Sequence, residues 1–341
     1  MPKTRGLLMS NLGTPASPEP VDVRAFLREF LSDPMVLDMN PVGRWVLLNC
    51  IILPFRPKKS SEAYKKVWTE AGSPILIHGR SLAREMVSSL GEGWIVGLGM
   101  RYGQPSMEKA LQGMVDAGVD EIIFLPLYPQ YALSSSASSI AHFKALAEKT
   151  EGMPPFRIIQ DFFESPSFCE PSAQLAMEYL DDSVDHILFS FHGLPVHQVQ
   201  KTDPTGAHCH QSEDCCEAIC EANRLCYRAQ SYATARRLAS RLELSPDQWS
   251  VAFQSRLTKV PWIQPYTDEA LINLAEAGVK HLAVMCPSFV ADCLETLEEI
   301  DMRGREDFLA AGGEKFTFVP CLNDRPEWVD GLRELVRSEC V

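Results

Sequence analysis

Short apolar runs of strand character alternate along the chain with segments whose apolar residues recur at helical spacing. The strand-like runs are RGLLMSNLG from Arg5, WIVGLGMRYG from Trp94, DEIIFLPLYP from Asp120, HILFSFHG from His186, WSVAFQSRL from Trp249, KHLAVMCPS from Lys280 and KFTFVPCL from Lys315. Two of the intervening segments, SMEKALQGMVDAGV (106–119) and TDEALINLAEAGV (267–279), have helical periodicity and leave through the same small-residue exit, Ala-Gly-Val. This alternation predicts a parallel α/β architecture.

The pattern also repeats. LLMSNLGTP (7–15) and ILFSFHGLP (187–195) share the frame Ser-x-x-Gly-x-Pro. VGLGMRYG (96–103) and VAFQSRLT (251–258) each carry an arginine just past a strand, and AGVDEIIFLPLYP (117–129) matches AGVKHLAVMCPSF (277–289). Three matches in one order predict two similar α/β lobes, residues 1–170 and 171–341, facing each other across a cleft. Ligands of such folds sit beyond the carboxyl ends of the strands. That rule selects Asn11 to Pro15, Arg101 and Tyr102, Tyr128 to Tyr131, His192, Arg256 and the residues from Pro287 onward. His192 is the ionisable member of a turn that Gly193 and Pro195 hold tight.

Charge and composition narrow the chemistry. A formal net charge of −13 argues against a nucleic-acid partner, which needs basic stripes. The opening MPKTRGLLMSNLG lacks a signal-peptide core, which points to the cytoplasm, where the 11 cysteines stay reduced. The apolar stretch WVLLNCIILPF (45–55), followed by basic RPKK, is too short to span a bilayer and is expected to be a buried helix or loop. A lip touching a membrane surface is its alternative. Asp292, Glu295 and Glu299 fall at i, i+3 and i+7, on one face of an expected helix. Acids early in a helix complement its dipole, but a row of like charges also suits binding cations or passing protons. With a nearby imidazole, the row suggests chemistry coupling protons to a divalent metal. No zincin, serine-hydrolase, P-loop or dinucleotide motif is present.

Five cysteines crowd the run CHQSEDCCEAICEANRLC (209–226), spaced C-x5-C-C-x3-C-x5-C. The C-x-x-C knuckle of common zinc sites is absent, and the irregular spacing is nearer to thiolate sets that hold iron–sulfur clusters. A structural zinc, unligated thiols, and a mixed ligand set using His208 or His210 stay open from spacing alone.

SFHGLP, GSPI (72–75), YPQY (128–131), QSRLTKVPWIQPYT (254–267) and CPSFVADCLETLEEI (286–300), taken together and in order, resemble ferrochelatase, over nearly the whole chain. The resemblance implies two Rossmann-like lobes around a porphyrin cleft. It implies insertion of Fe²⁺ into protoporphyrin IX to give protohaem. His192 matches the family's active-site histidine, Glu295 its essential glutamate, and Glu299 and Asp292 the acidic row behind it. His192 is expected to act as base, with His192 and Glu295 as ligands of the substrate iron. Leu12 takes the position against the macrocycle, Arg101 and Tyr102 the opposite wall, Ser73 a propionate contact and Trp262 the pocket lining. Tyr131, in YPQY, is the remaining substrate-binding position. Cys293 stands where animal enzymes have histidine.

Within this family the cysteine run reads as an insert at about 205–230, ahead of a helix expected at Tyr232–Leu242. It implies a [2Fe–2S] cluster held by Cys209, Cys215, Cys216 and Cys226, with Cys220 as spare or as replacement for Cys215. Other functional alternatives are a chelatase for cobalt or coproporphyrin, or a non-catalytic iron–sulfur or haem-binding sensor. Peripheral membrane contact is a further expectation.

Overall fold

A computed structural model describes residues 3–257 and 260–340. Thr258 and Lys259, which belong to the matched stretches VAFQSRLT and QSRLTKVPWIQPYT, lie outside the described residues. The strands are β1 (Arg5–Thr14), β2 (Trp94–Gly103), β3 (Glu121–Pro126), β4 (Phe156–Ile158), β5 (His186–His192), β6 (Trp249–Gln254), β7 (His281–Met285) and β8 (Lys315–Phe318). They form two four-stranded sheets, ordered β2-β1-β3-β4 and β6-β5-β7-β8, with every pair parallel. The same order in both sheets is the repeat expected from the sequence. β4 was not expected: three residues, FRI, are too few to show a period.

The local signals repeat as well. The helices Met107–Asp116 and Thr267–Glu276 both end in Ala-Gly-Val with the glycine at positive φ, Gly118 at 72° and Gly278 at 101°. In the first exit Gly118 N–H donates to Val115 O and Val119 N–H to Met114 O. In the second, Gly278 N–H donates to Ala275 O and Val279 N–H to Leu274 O. This paired bonding closes the helix and turns the chain into the next strand, and glycine takes the left-handed position without steric cost. At the far end of β2, Met100 N–H donates to Pro105 O at 2.7 Å; at the far end of β6, Phe253 N–H donates to Pro265 O at 2.8 Å.

The chain divides into two compact units. One comprises Met1–Tyr128, Leu133–Asp161 and Asp324–Val341, and the other Pro129–Ala132 and Phe162–Asn323. Strands covered on both faces bury continuous apolar runs. In the first unit Leu8, Ile122 and Phe124 pack against Met107, Leu111 and Phe143, whose ring stacks on Phe124 at 4.2 Å. In the second, Leu188, Leu282 and Val284 pack against Leu271, Phe308 and Phe316. The C-terminal helix Pro326–Ser338 is tied to the helix Pro74–Leu90 by Arg333 to Ser89 and by Arg337 to the Leu90 carbonyl.

The stretch Trp45–Phe55 is helical, but only one side of it is buried. Leu48, Ile52 and Leu53 point inward, while Trp45 is 61% and Phe55 76% exposed. The expectation of a buried segment therefore holds for only three of its eleven residues, because a helix at the edge of a unit can cover only one face. Among the described residues no helix is long and apolar enough to cross a membrane.

Candidate functional site

β5 ends at His192, in register with Gln254 at the end of β6. Three contacts fix the histidine. Its N–H donates to Ser288 Oγ at 3.1 Å, its ring lies 6.3 Å from that of Phe289, and its Nδ1 is 2.7 Å from the carbonyl oxygen of Gly193. A carbonyl can only accept, so Nδ1 carries a proton and neutral His192 keeps its free lone pair on Nε2. The next residue must be glycine. Gly193 N–H donates to Gln254 O at 2.6 Å, and a Cβ at 193 would stand 2.8 Å from that oxygen. Trp262, buried, closes the other side of the turn: Val196 N–H donates to Pro261 O and Ile263 N–H to Leu194 O.

The acids behind the histidine come from β7's exit. Glu295 opens a π-helix, Glu295–Gly304, whose wider i→i+5 turns bring Glu295 and Glu299 to nearly the same side. Asp292 does not share that face. It precedes the helix, and its buried carboxylate accepts from Thr296 Oγ1, Cys321 N–H and Asn323 Nδ2. The helical spacing was coincidental: an aspartate that braces a loop can fall at i−3 without belonging to the helix. Glu298, unremarked in the sequence, is buried and paired with Arg303 at 2.9 Å.

Glu299 receives both donors of Ser255, the N–H at 3.0 Å and the hydroxyl. Ser255 adopts φ 69°, a left-handed conformation that non-glycine residues rarely hold, and this aims both donors at one carboxylate. Burial raises the Glu299 pKa; the Ser255 hydrogen bond and the charge of His192 oppose it, while the charge of Glu295 adds to it. Gln254 ties these parts together, accepting from Ser190 Oγ at 2.6 Å and donating to the Glu295 carbonyl at 3.3 Å. Beside Glu299 lies a polar cavity of about 250 Å³ lined by Ser255, Arg256, Asp268, Arg303 and Asp307. Cys293 is buried, and burial, followed by the Glu295 charge, holds its thiol well above the usual range.

In the first unit Leu12 sits half-buried on β1, followed by Gly13 at φ 110°, where a Cβ would overlap the Tyr102 carbonyl at 1.8 Å. Ser73 is buried, and its hydroxyl accepts from Thr14 Oγ1 at 2.8 Å. The polar ends of Arg101 and Tyr102 turn onto Asp33. Oδ2 of Asp33 accepts from Arg101 at 2.6 Å, from Tyr102 Oη at 2.8 Å and from Ser138 Oγ at 2.6 Å. Burial works to raise the Asp33 pKa, but these bonds, the Met35 N–H and the Arg101 charge bring it below the ordinary value. Sequence reasoning missed Asp33, since nothing in FLSDPM marks it as the partner of an arginine 68 residues away. Tyr131, half-buried in the second unit, donates its N–H to Gln230 Oε1 at 2.6 Å.

The cysteine run forms turns, without helix or strand, between the helices Val196–Gln200 and Tyr227–Arg241. The second helix starts five residues before the expected Tyr232, directly after Cys226. Asp203 opens the insert by accepting from the N–H groups of Thr205, His208 and Cys209. Asn223 closes it, donating to Cys215 O and Ala218 O and accepting from Cys220 N–H. Cys209, Cys215, Cys216 and Cys226 are all buried and their thiols meet in series, Cys209 with Cys226, Cys226 with Cys216, and Cys216 with Cys215 at 3.7 Å. Cys220 is exposed and turned to His208. Hydrogen bonding to Cys209, then burial, pushes Cys226 up to about 12, and Cys216 is also raised. Among the described residues no three or more His, Cys, Asp or Glu are arranged as a metal-ion site.

Known proteins bear on this arrangement. Structures of the chelatase SirB from Bacillus subtilis share the fold: the one with Fe³⁺ has a TM-score of 0.54 at 9% identity, covering 98% of this chain and 95% of that one. The cobalt complex of the sirohydrochlorin chelatase SirB gives a TM-score of 0.52 at 9% identity, with 98% and 94% covered. Closer in sequence is a ferrochelatase of Legionella pneumophila strain Paris, 43% identical, covering 98% of this chain and 99% of that one. Those of Bdellovibrio bacteriovorus and Ectopseudomonas mendocina are 45% and 46% identical, covering 98% and 96% of this chain and 99% and 96% of their own. The family model described as Ferrochelatase matches residues 4–340. With that match running the length of both units, the chain belongs to the ferrochelatase family.

Proposed function

We propose that this chain inserts Fe²⁺ into protoporphyrin IX, giving protohaem and two protons. The reaction replaces two pyrrole N–H bonds with iron–nitrogen bonds, so each inner proton must leave as the metal enters. The supporting observation is the Nδ1–H bond of His192 to the Gly193 carbonyl, which leaves Nε2 as a fixed base. Glu295 serves as ligand to the incoming iron, and His192 Nε2 can join it only while it holds no proton. Glu299, its pKa raised by burial, takes protons onward toward the polar pocket beside it. Asp292 acts through the loop it braces and not as a member of the relay.

For the porphyrin we assign Leu12 and Trp262 to apolar contact with the ring, Ser73 to a propionate, and Tyr131 to the ring edge. Arg101 and Tyr102 shape their wall through Asp33 rather than by offering their polar ends to substrate. The exposed Trp45 and Phe55, next to Arg56, Lys58 and Lys59, support peripheral contact with a membrane surface.

The buried thiols fit a [2Fe–2S] cluster held by Cys209, Cys215, Cys216 and Cys226. These four thiols, meeting in series, would supply the usual four-sulfur ligand set. When bound, such a cluster supplies one-electron chemistry.

Anaerobic turnover of protoporphyrin IX with Fe²⁺, followed by loss of porphyrin fluorescence, tests the activity. The native chain should turn over and His192→Ala should not. Metallation of coproporphyrin in place of protoporphyrin, or by cobalt alone, would overturn the assigned substrates. Inactivity toward all of them would leave a binding role.

A further inference from the structure

The cysteine pocket contains a guanidinium that reaches two of its thiols. Arg228 Nη1 lies 3.1 Å from Cys216 Sγ and 3.8 Å from Cys215 Sγ, and its guanidinium stacks over the Tyr232 ring at 4.9 Å. Among the described residues no carboxylate is its partner. A half-buried guanidinium loses hydration and is normally offset by an anion. Arg228 is also the second residue of the helix Tyr227–Arg241, whose first turn carries no acid. Helix N-termini disfavour cations, because their free N–H groups already carry positive partial charge. The guanidinium thus faces Cys215 and Cys216 while the first-turn N–H of Ala229 faces Cys226, an arrangement that is unfavourable until those sulfurs are anionic. Arg236 adds a third donor close by, from Nη1 to the Cys216 carbonyl at 3.0 Å.

We propose that Arg228 is the charge partner of the cluster, donating to the thiolates of Cys215 and Cys216 and setting its reduction potential. The inference rests on the reading of the four cysteines as cluster ligands. A [2Fe–2S] centre with four thiolates carries two negative charges when oxidised and three when reduced. A fixed cation at hydrogen-bond distance therefore stabilises the reduced form more and raises the potential. Cys215 and Cys216, rather than Cys209 and Cys226, receive the donor, so the added electron is drawn toward the iron they hold.

The test uses the full chain purified anaerobically with its cluster, titrated with dithionite through redox mediators and followed by visible absorbance. Arg228→Gln removes the charge and Arg228→Lys keeps it. For Arg228→Gln, the oxidised-to-reduced ratio at the wild-type midpoint should rise at least tenfold, a negative shift of about 59 mV. Arg228→Lys should stay within about twofold. If Arg228→Gln folds normally by circular dichroism but loses its iron and sulfide while Arg228→Lys retains both, the charge is needed to hold the centre and the proposal stands. A Gln variant with an unchanged potential, or Gln and Lys variants shifted alike, overturns it. A wild-type chain without acid-labile sulfide would overturn the cluster reading itself, which separates that failure from one confined to Arg228.

Discussion

Ser255 holds Glu299 with two donors at once, its backbone N–H at 3.0 Å and its hydroxyl, from a backbone conformation with φ 69°. The pairing holds the carboxylate against the residue that follows β6, whose last residue, Gln254, is in register with His192. It leaves the acid with a raised pKa, because two hydrogen bonds and the distant imidazole do not fully offset the loss of water.

A pH signature follows. A carboxyl whose folded pKa lies above its unfolded value favours folding at low pH, and that stability is lost as pH rises from the unfolded pKa through the folded one. Glu299→Gln, neutral at every pH, should therefore gain stability over wild type at pH 8 and not at pH 4. A gain of roughly 1 kcal/mol would raise Tm by about 2–4 °C in a unit of this size. Turnover should fall at least tenfold, since the amide cannot relay a proton. Melting curves at both pH values check the sign, and equal Tm differences at pH 4 and 8 would count against it.

Gly193→Ala probes the histidine without touching it. The new Cβ meets the Gln254 carbonyl at 2.8 Å and the Trp262 ring at 3.4 Å, both in rigid surroundings, so the backbone between His192 and Leu194 must move. Overpacking of this kind costs about 1–3 kcal/mol. A displacement of the base by about 1 Å should lower kcat by roughly 100-fold. Denaturation midpoints and kcat, measured together, separate the two effects. A variant that loses stability yet keeps wild-type kcat would show that the turn does not set the base.

Much of this was legible in the sequence where local chemistry carries the signal. The twin Ala-Gly-Val exits and the Ser-x-x-Gly-x-Pro turns foretold two sheets of one topology, because a glycine cap and a strand-end turn are written in a few adjacent residues. His192 was exposed by the same turn. Contacts that join distant segments left no such mark. Asp33 meets Arg101 and Ser138 only through the fold, and the three residues of β4 are too short to show a period. The π-helix has no distinct sequence pattern, so an ordinary helical ruler placed Asp292 beside Glu295 when it belongs to the loop before. Arg228 likewise carries no local mark, because its aim at two thiols depends on where the helix starts.

The cysteines can be told apart by content. Wild-type protein should carry about two iron and two acid-labile sulfide per chain. Cys209→Ser and Cys226→Ser, which alter buried thiols at one end of the series, should reduce both below about a tenth of that. Cys220→Ser should keep them, since its sulfur is exposed and turned to His208. Loss of the centre in Cys220→Ser with retention in Cys215→Ser would reverse the assignment of those two. Because the thiols of Cys215, Cys216 and Cys226 titrate high, the last near 12, cluster assembly releases protons and should slow as pH falls.

The exposed side of the Trp45–Phe55 helices makes the last prediction. Trp45 and Phe55 present their rings to solvent while Leu48, Ile52 and Leu53 hold the inner face, and Lys58 and Lys59 follow on the surface. Each ring offers on the order of 100 Å² to a lipid interface, about 2–3 kcal/mol at ~25 cal/mol/Å². Each basic residue adds about 1 kcal/mol on anionic lipid. Trp45→Ser with Phe55→Ser should therefore cut flotation with anionic vesicles at least tenfold, while neutral vesicles and high salt weaken the wild-type chain less steeply. Both side chains lie outside the core, so Tm and turnover of detergent-dispersed porphyrin should stay within about twofold of wild type. Equal flotation of both forms would assign the patch to something other than lipid, whereas a variant impaired only with vesicle-bound porphyrin would place substrate entry on this face.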